Sequence, residues 1–407
     1  MDFEVVILGA NTNAYYMARC HHEAYNQKAH LIAKEPMRFT KYSDILTIEY
    51  NSKLWENDVF VETINNYAEN SKNEKILIIP SSDFYVRLLI ENQRRIHKKY
   101  VFHAITEELL NNLLVKENFY TKFKDSDLDF PKTMIFDCSK DKNVLKKDIK
   151  DFLLPIIVKP SDGVEFYKHE FSGQAKVYKL NSFEQVENTI KDIVNSGYKG
   201  KMIIQEFIPG GDDKLFDSIF YCDQKHKVKL VSFAQIGLQE HTRAGVGNCT
   251  VLINGYNEFG DCTEQVEKMT RFLEDNDYCG FAEFDLKYDI RDHKYKVLEI
   301  NPRQARSSYY LCACGFNLVK YLVDDLIFNK KIKYHFIDEK MALTFVPMAV
   351  INRYVDNKKF KKEIKLLKKQ NKLVDPLDYT QDKGLKRKIW ILLKKLNYLR
   401  IYKKSEW

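Results

Sequence analysis

The chain has 407 residues, 44% of them hydrophobic and 13% aromatic, which is enough to bury a large core and too many for one compact unit; two or three domains are expected, and disorder is excluded as the default. The net charge of +8 sits at one end: residues 331–407 hold 21 Lys/Arg against 8 Asp/Glu, while the rest of the chain holds 44 against 49. There is no apolar run of about 18 residues to span a bilayer, no basic n-region before the first strand, and no CxxC pair or His spacing for zinc among eight scattered cysteines, so a soluble cytoplasmic protein with free thiols is expected.

Residues 5–8 (Val-Val-Ile-Leu) read as a strand, 14–25 as a helix, and 30–33 and 75–80 as further strands. Strands spaced by helices in this way predict a doubly wound parallel sheet. The turn Gly9-Ala10-Asn11-Thr12-Asn13-Ala14 has one glycine where a dinucleotide fingerprint needs three, which argues against NAD. Residues 105–123 carry a helical pattern, and 133–136 a strand. Residues 152–178 read as strand, turn and strand, with Ser161-Asp162-Gly163 as a flexible turn and a second strand over 174–180. A helix (182–194) and a strand (202–207) follow. Beyond them come a strand at 228–235, a loop holding Gly245 and Gly247, a helix at 262–275, and two strands at 280–288 and 295–300. The turn Asp289-Ile290-Arg291-Asp292 between these last two predicts a hairpin.

That hairpin carries the chemistry. It contains Phe281-Ala282-Glu283-Phe284-Asp285-Leu286-Lys287 and then Glu299-Ile300-Asn301-Pro302-Arg303. Residues two apart on a strand share a face, so Asp285, Glu299 and Asn301 are predicted to converge. Two carboxylates and an amide oxygen form a hard site suited to Mg²⁺ rather than Zn²⁺. Arg303, two residues on, is suited to a phosphoryl oxygen.

With this hairpin the chain resembles the ATP-grasp superfamily, whose members carry a metal-binding acid on one strand and a Glu-x-Asn pair on the next. The resemblance implies an α/β ATP-grasp fold behind an N-terminal Rossmann-like pre-ATP-grasp domain, with boundaries at 1–110, 111–330 (a small lid subdomain at about 152–207) and a basic C-terminal extension at 331–407. It also implies ATP and Mg²⁺ as cofactors. Lys116 and Lys159 resemble the two phosphate-binding lysines. Gln205-Glu206-Phe207-Ile208-Pro209-Gly210 resembles the hinge that reads the adenine edge, with Asp213 near the ribose, and residues 161–163 with Gly173 resemble the loop that closes over the triphosphate. Within the superfamily, residues 5–325 are most similar to the D-aspartate ligases of lactic acid bacteria, which attach D-aspartate to a lysine side-chain amine in a peptidoglycan precursor. That similarity includes residues 13–19, 38–43, 205–210, 280–289 and 299–308. It departs over 238–250, in a loop expected over the substrate.

The implied activity is an ADP-forming carboxylate–amine ligase that works through an acyl phosphate. Its partners would be an amino acid and an amine-bearing cell-wall precursor, with no nucleic acid. Arg303 would stabilise the acyl phosphate, and Arg306 and Ser307 would grip the substrate carboxylate, with Arg243 as a further candidate. Two rival readings are a ligase for a different amino acid or surface precursor, and a nucleotide-binding protein without catalysis. Residues 385–396, basic and apolar with Trp390 at the centre, form a helix that either lies on the inner, anionic membrane face or docks its leucines on the body.

Overall fold

The computed structural model describes residues 2–404 apart from 142, 145, 241–244 and 246. It divides into two units: the first holds Met1–Leu110, Asp212–Phe284 and Asn301–Trp407, the second Asn111–Gly211 and Asp285–Ile300.

The first unit opens with β1 (Phe3–Leu8), α1 (Thr12–Tyr25), β2 (Ala29–Ala33), β3 (Leu46–Tyr50), α2 (Asn57–Asn70), β4 (Lys75–Pro80), α3 (Asp83–Glu91) and β5 (Tyr100–Val101). The five strands form a parallel sheet in the order β3-β2-β1-β4-β5. Strands covered on both faces need near-continuous apolar runs, as in Val5–Leu8 and Ile76–Ile79. The chain winds outward from β1 to one edge and from β4 to the other, so the crevice at the carboxyl ends of β1 and β4 is a topological switch point. Gly9 turns the chain there at φ +103°, and a Cβ would meet the Ser81 hydroxyl and the Tyr85 ring, so only glycine fits.

Then α4 (Glu107–Leu114) leads into the second unit and α5 (Lys116–Lys122). The single helix expected over 105–123 is two, because the β-branched Val115 is extended (φ −91°, ψ 108°) and starts a new helix at Lys116. The unit continues with β6 (Thr133–Asp137), α6 (Lys146–Ile149), β7 (Ile156–Pro160), α7 (Gly163–Phe166), β8 (Tyr178–Leu180), α8 (Phe183–Asn195) and β9 (Lys201–Glu206), and its antiparallel sheet runs β6-β9-β7-β8. Val186, Ile190 and Ile193, one stripe of α8, pack with Ile156, Val158, Met202 and Ile204. The turn expected at 161–163 starts the short α7, because the Asp162 carboxylate accepts the Glu165 N–H at 3.1 Å.

The chain returns to the first unit with β10 (Leu215–Cys222), β11 (Val228–Ser232), β12 (Ala234–Gln239), β13 (Cys249–Asn254) and α9 (Thr263–Asp275). The strand expected at 228–235 is two strands broken at Phe233, since β10 pairs with β11 along one half and with β12 along the other. A continuous apolar run hides such a break. β14 (Gly280–Asp289) begins in the first unit and passes at Asp285 into the second, which also holds β15 (Lys294–Asn301) as far as Ile300.

Residues 301–404 complete the first unit with α10 (Tyr309–Ala313), α11 (Leu318–Leu322), β16 (His335–Ile337), β17 (Met341–Thr344), α12 (Met348–Tyr354), α13 (Lys358–Lys369), β18 (Leu373–Val374) and α14 (Leu385–Lys404). β17 extends the mixed sheet beside β13, and β16 pairs with β11. The basic segment is thus tied into the sheet. Arg387 and Asp382, both essentially inaccessible, form an ion pair at 3.1 Å. The remaining lone pairs of Asp382 accept from Tyr15 (3.0 Å), Ser43 (2.8 Å) and the Asp44 N–H (2.9 Å), the full satisfaction that a buried charge requires.

Candidate active site

In the second unit, Lys116, Lys159, Gln205, Asp285 and Glu299 come together. Lys116 Nζ lies 3.2 Å from Glu299 Oε2, and the carboxyl groups of Asp285 and Glu299 are hydrogen-bonded to each other. The Lys116 ammonium holds Glu299 down to about 2, against the opposing effect of burial. Lys159, on β7, has its Nζ 3.3 Å from Gln205 Oε1, while burial, reinforced by the charge of Lys116, pushes it down to about 7. Tyr120 fixes α5 to β15 by donating to the Leu298 carbonyl at 2.6 Å.

This set suits a metal–polyphosphate. Two neighbouring carboxyl groups repel each other as anions unless a cation lies between them, and all-oxygen donors favour Mg²⁺. No group of three His, Cys, Asp or Glu with metal-holding geometry occurs among the described residues, and Asp285 and Glu299 are the two carboxyl groups this cluster holds. A lysine whose basicity is lowered by burial and by a second lysine nearby suits a ligand bringing several negative charges.

The hinge residues run from the end of β9 into the loop after it. Glu206 accepts the Leu153 N–H at 3.1 Å and lies 3.5 Å from Arg291. The Phe207 ring meets the ammonium groups of Lys179 and Lys287 at 4.1 and 4.8 Å. Ile208 is buried. Asp213 belongs to the first unit, where Lys214 (3.0 Å) and the Asn357 amide (3.2 Å) hold its carboxylate.

The first unit contains a cavity of about 470 Å³ at the switch point. Its walls come from the start of α1 (Asn11–Asn13), the turn after β4 (Ser81–Asp83), Glu240, the segment after β15 (Arg303, Arg306) and one face of α14 (Lys394, Asn397, Tyr398, Ile401). Arg303 is clamped: its Nε meets Asp83 at 2.8 Å, its Nη1 meets Glu283 at 2.9 Å and its Nη2 meets Asn301 at 3.2 Å. Arg306 lies 4.7 Å over the Phe345 ring, donates to the Tyr398 hydroxyl at 3.2 Å and stands 3.8 Å from Glu240. Lys394 sits 4.0 Å over the Phe39 ring, and burial plus the charge of Arg306 push it down to about 7.

Ser307 is not on this wall. It is 1% exposed, and its hydroxyl donates to the buried Asp217, because Arg306 and Ser307 face opposite ways in the turn before α10. Arg243 lies outside the described residues. The sequence reading missed Asp83, Glu240, Glu283 and Lys394. Glu283 had a signal, as it shares a strand face with Asp285; Lys394 had none, since its role depends on where α14 docks.

No family profile matches the chain. A D-aspartate ligase from Enterococcus faecium (strain Aus0004) is 31% identical over 413 residues, covering 99% of this chain and 96% of that protein. Among solved structures, the N5-carboxyaminoimidazole ribonucleotide synthetase of Thermus thermophilus superposes with a TM-score of 0.61 at 12% identity, covering 86% of each chain. The biotin carboxylase domain of the Hydrogenobacter thermophilus 2-oxoglutarate carboxylase, solved with MgADP, ADP and bicarbonate, gives 0.61 at 13% identity over 82% of this chain and 72% of that one.

Proposed function

Since the chain belongs to the D-aspartate ligase family of ATP-grasp carboxylate–amine ligases, we propose that it joins D-aspartate to the lysine side-chain amine of a peptidoglycan precursor. The observation that carries this reading is the cavity of the first unit, where Arg303, Arg306 and Lys394 meet Glu240 and Asp83. Several cations with a minority of acids complement an amino acid bearing a second carboxylate. A neutral side chain would leave a half-buried ammonium without an anion.

ATP with Mg²⁺, when bound, supplies the phosphoryl group that activates the carboxylate. Lys116 and Lys159 would hold its phosphates, Asp285, Glu299 and Asn301 would hold the metal, and the segment from Gln205 to Ile208 would hold the base. Arg303, kept in one orientation by Asp83, Glu283 and Asn301, offers its remaining N–H groups to the phosphoryl oxygens of the activated carboxylate. Arg306 and Lys394 take the carboxylate that does not react, and Glu240 takes the substrate ammonium. The precursor amine attacks in its neutral form.

Inorganic phosphate release from ATP and Mg²⁺ with D- and L-amino acids, each with and without a lysine-containing precursor, tests the reading. Release confined to D-aspartate with the precursor is expected, and a different active pair overturns the assigned substrate. A sharper expectation concerns Lys394→Gln. It should raise KM for aspartate by roughly 10- to 100-fold, the loss of one charge-assisted hydrogen bond, with little change in kcat. Initial rates across aspartate concentrations read this, and a parallel rise for ATP would contradict it.

Lys159 sets a pH dependence. With its folded-state value near 7, the free enzyme loses this charge as pH rises through neutrality, whereas bound phosphates favour the ammonium. Nucleotide binding therefore takes up a proton. Affinity for a non-hydrolysable ATP analogue should weaken above about pH 7, by up to roughly tenfold per unit, and Lys159→Arg should flatten the slope. Calorimetry in buffers of different ionisation enthalpy measures both.

A further inference from the structure

α14 is apolar on two opposite faces. Its inner face buries Ile391, Tyr398 and Tyr402. Its outer face carries Leu385, Ile389, Leu392, Leu396 and Leu399, spaced alternately by four and three residues, with Leu393 beside them. These six side chains are 72, 52, 59, 51, 38 and 57% exposed. A surface helix ordinarily turns polar residues outward, and single exposed leucines need no explanation; a contiguous ridge of six does.

The charge around the ridge selects its occupant. Lys386, Lys388, Arg400 and Lys403 flank or end it, all exposed, and the helix contains no Asp or Glu. The four-three spacing is that of a seam between paired helices. Pairing with a second copy, however, would set lysine against lysine with no acid to offset it. An anionic lipid surface meets both features at once, with leucines entering the acyl boundary and cations facing the headgroups.

We propose that the outer face of α14 seats the protein on the surface of an anionic lipid bilayer. This stands apart from the ligase reading, since the ridge lies on the opposite side of the helix from Lys394. No helix among the described residues is long and apolar enough to cross a membrane, so the contact is with the surface only.

The test is flotation of the full chain with vesicles of phosphatidylcholine, with and without phosphatidylglycerol. Binding is expected with phosphatidylglycerol, weakened by salt, and reduced on the order of tenfold or more in Leu392→Glu/Leu396→Glu. That variant should keep its thermal midpoint and its activity on soluble substrates, because both side chains are exposed and away from the cavity. Absence of wild-type binding, or equal binding by the variant, overturns the proposal. So does a wild-type dimer in light scattering that the variant abolishes without any vesicle binding, which would give the face to a second copy.

Discussion

Glu299→Gln is expected to lower turnover by about 10³-fold, the several kcal/mol that a metal ligand contributes to a phosphoryl-transfer transition state. Glutamine keeps the shape of the side chain and removes its charge. The wild-type carboxylate stays ionised because Lys116 is 3.2 Å away, and Asp285 beside it supplies a second oxygen donor for a cation. The variant should therefore also need more Mg²⁺ for half-maximal rate, and its thermal midpoint at neutral pH should fall modestly, since the ion pair with Lys116 is lost. Full turnover at ordinary Mg²⁺ would remove Glu299 from the metal site. The depressed carboxyl value carries a linked effect on stability. Its contribution is complete above the ordinary glutamate range and is lost as pH falls toward 2, so Glu299→Gln should flatten that acid limb of the unfolding curve.

Arg303→Lys should lower kcat by about 10²-fold or more and destabilise the protein by roughly 1–3 kcal/mol, although the charge is conserved. The guanidinium meets Asp83, Glu283 and Asn301 through three different nitrogens. An ammonium on a flexible stem cannot meet all three and still present donors to a phosphoryl group. Glu283, a buried carboxylate, would then keep its charge with a weaker partner. Urea unfolding measures the stability loss. Rates at saturating substrates measure the catalytic one, and partial rescue of Arg303→Ala by free guanidinium separates the two. A variant that loses stability and keeps kcat would make Arg303 a structural clamp only.

The hairpin that carries Asp285 and Glu299 was legible because strand alternation is a local rule. An acid, a tight turn and a Glu-x-Asn run fix which side chains share a face without knowledge of the rest of the fold. Lys116 was legible as a residue type in a certain order along the chain, but its position at the start of a new helix was not, since the apolar pattern of 105–123 continues through Val115. Ser307 reads from sequence as a neighbour of Arg306 with the same reach. In a turn, adjacent residues face different ways, and its hydroxyl goes to Asp217.

The basic segment was the least legible part. Counting charges over 331–407 describes a polar extension, yet Arg387 is among the most buried residues of the chain, because Asp382 and Tyr15 receive it. Composition reports how many lysines and arginines there are, and burial depends on partners such as Tyr15, far away in the sequence. The same holds for the cavity at the switch point, where Lys394 comes from a position with no local motif.

The cavity joins Asn11–Asn13 to Lys394, Asn397, Tyr398 and Ile401, two stretches far apart in the sequence. Neither stretch encloses it alone. A chain cut just before α14 would keep Lys116, Lys159 and Glu299 and leave this cavity open on one side, so its closure reports that these two distant stretches have folded together.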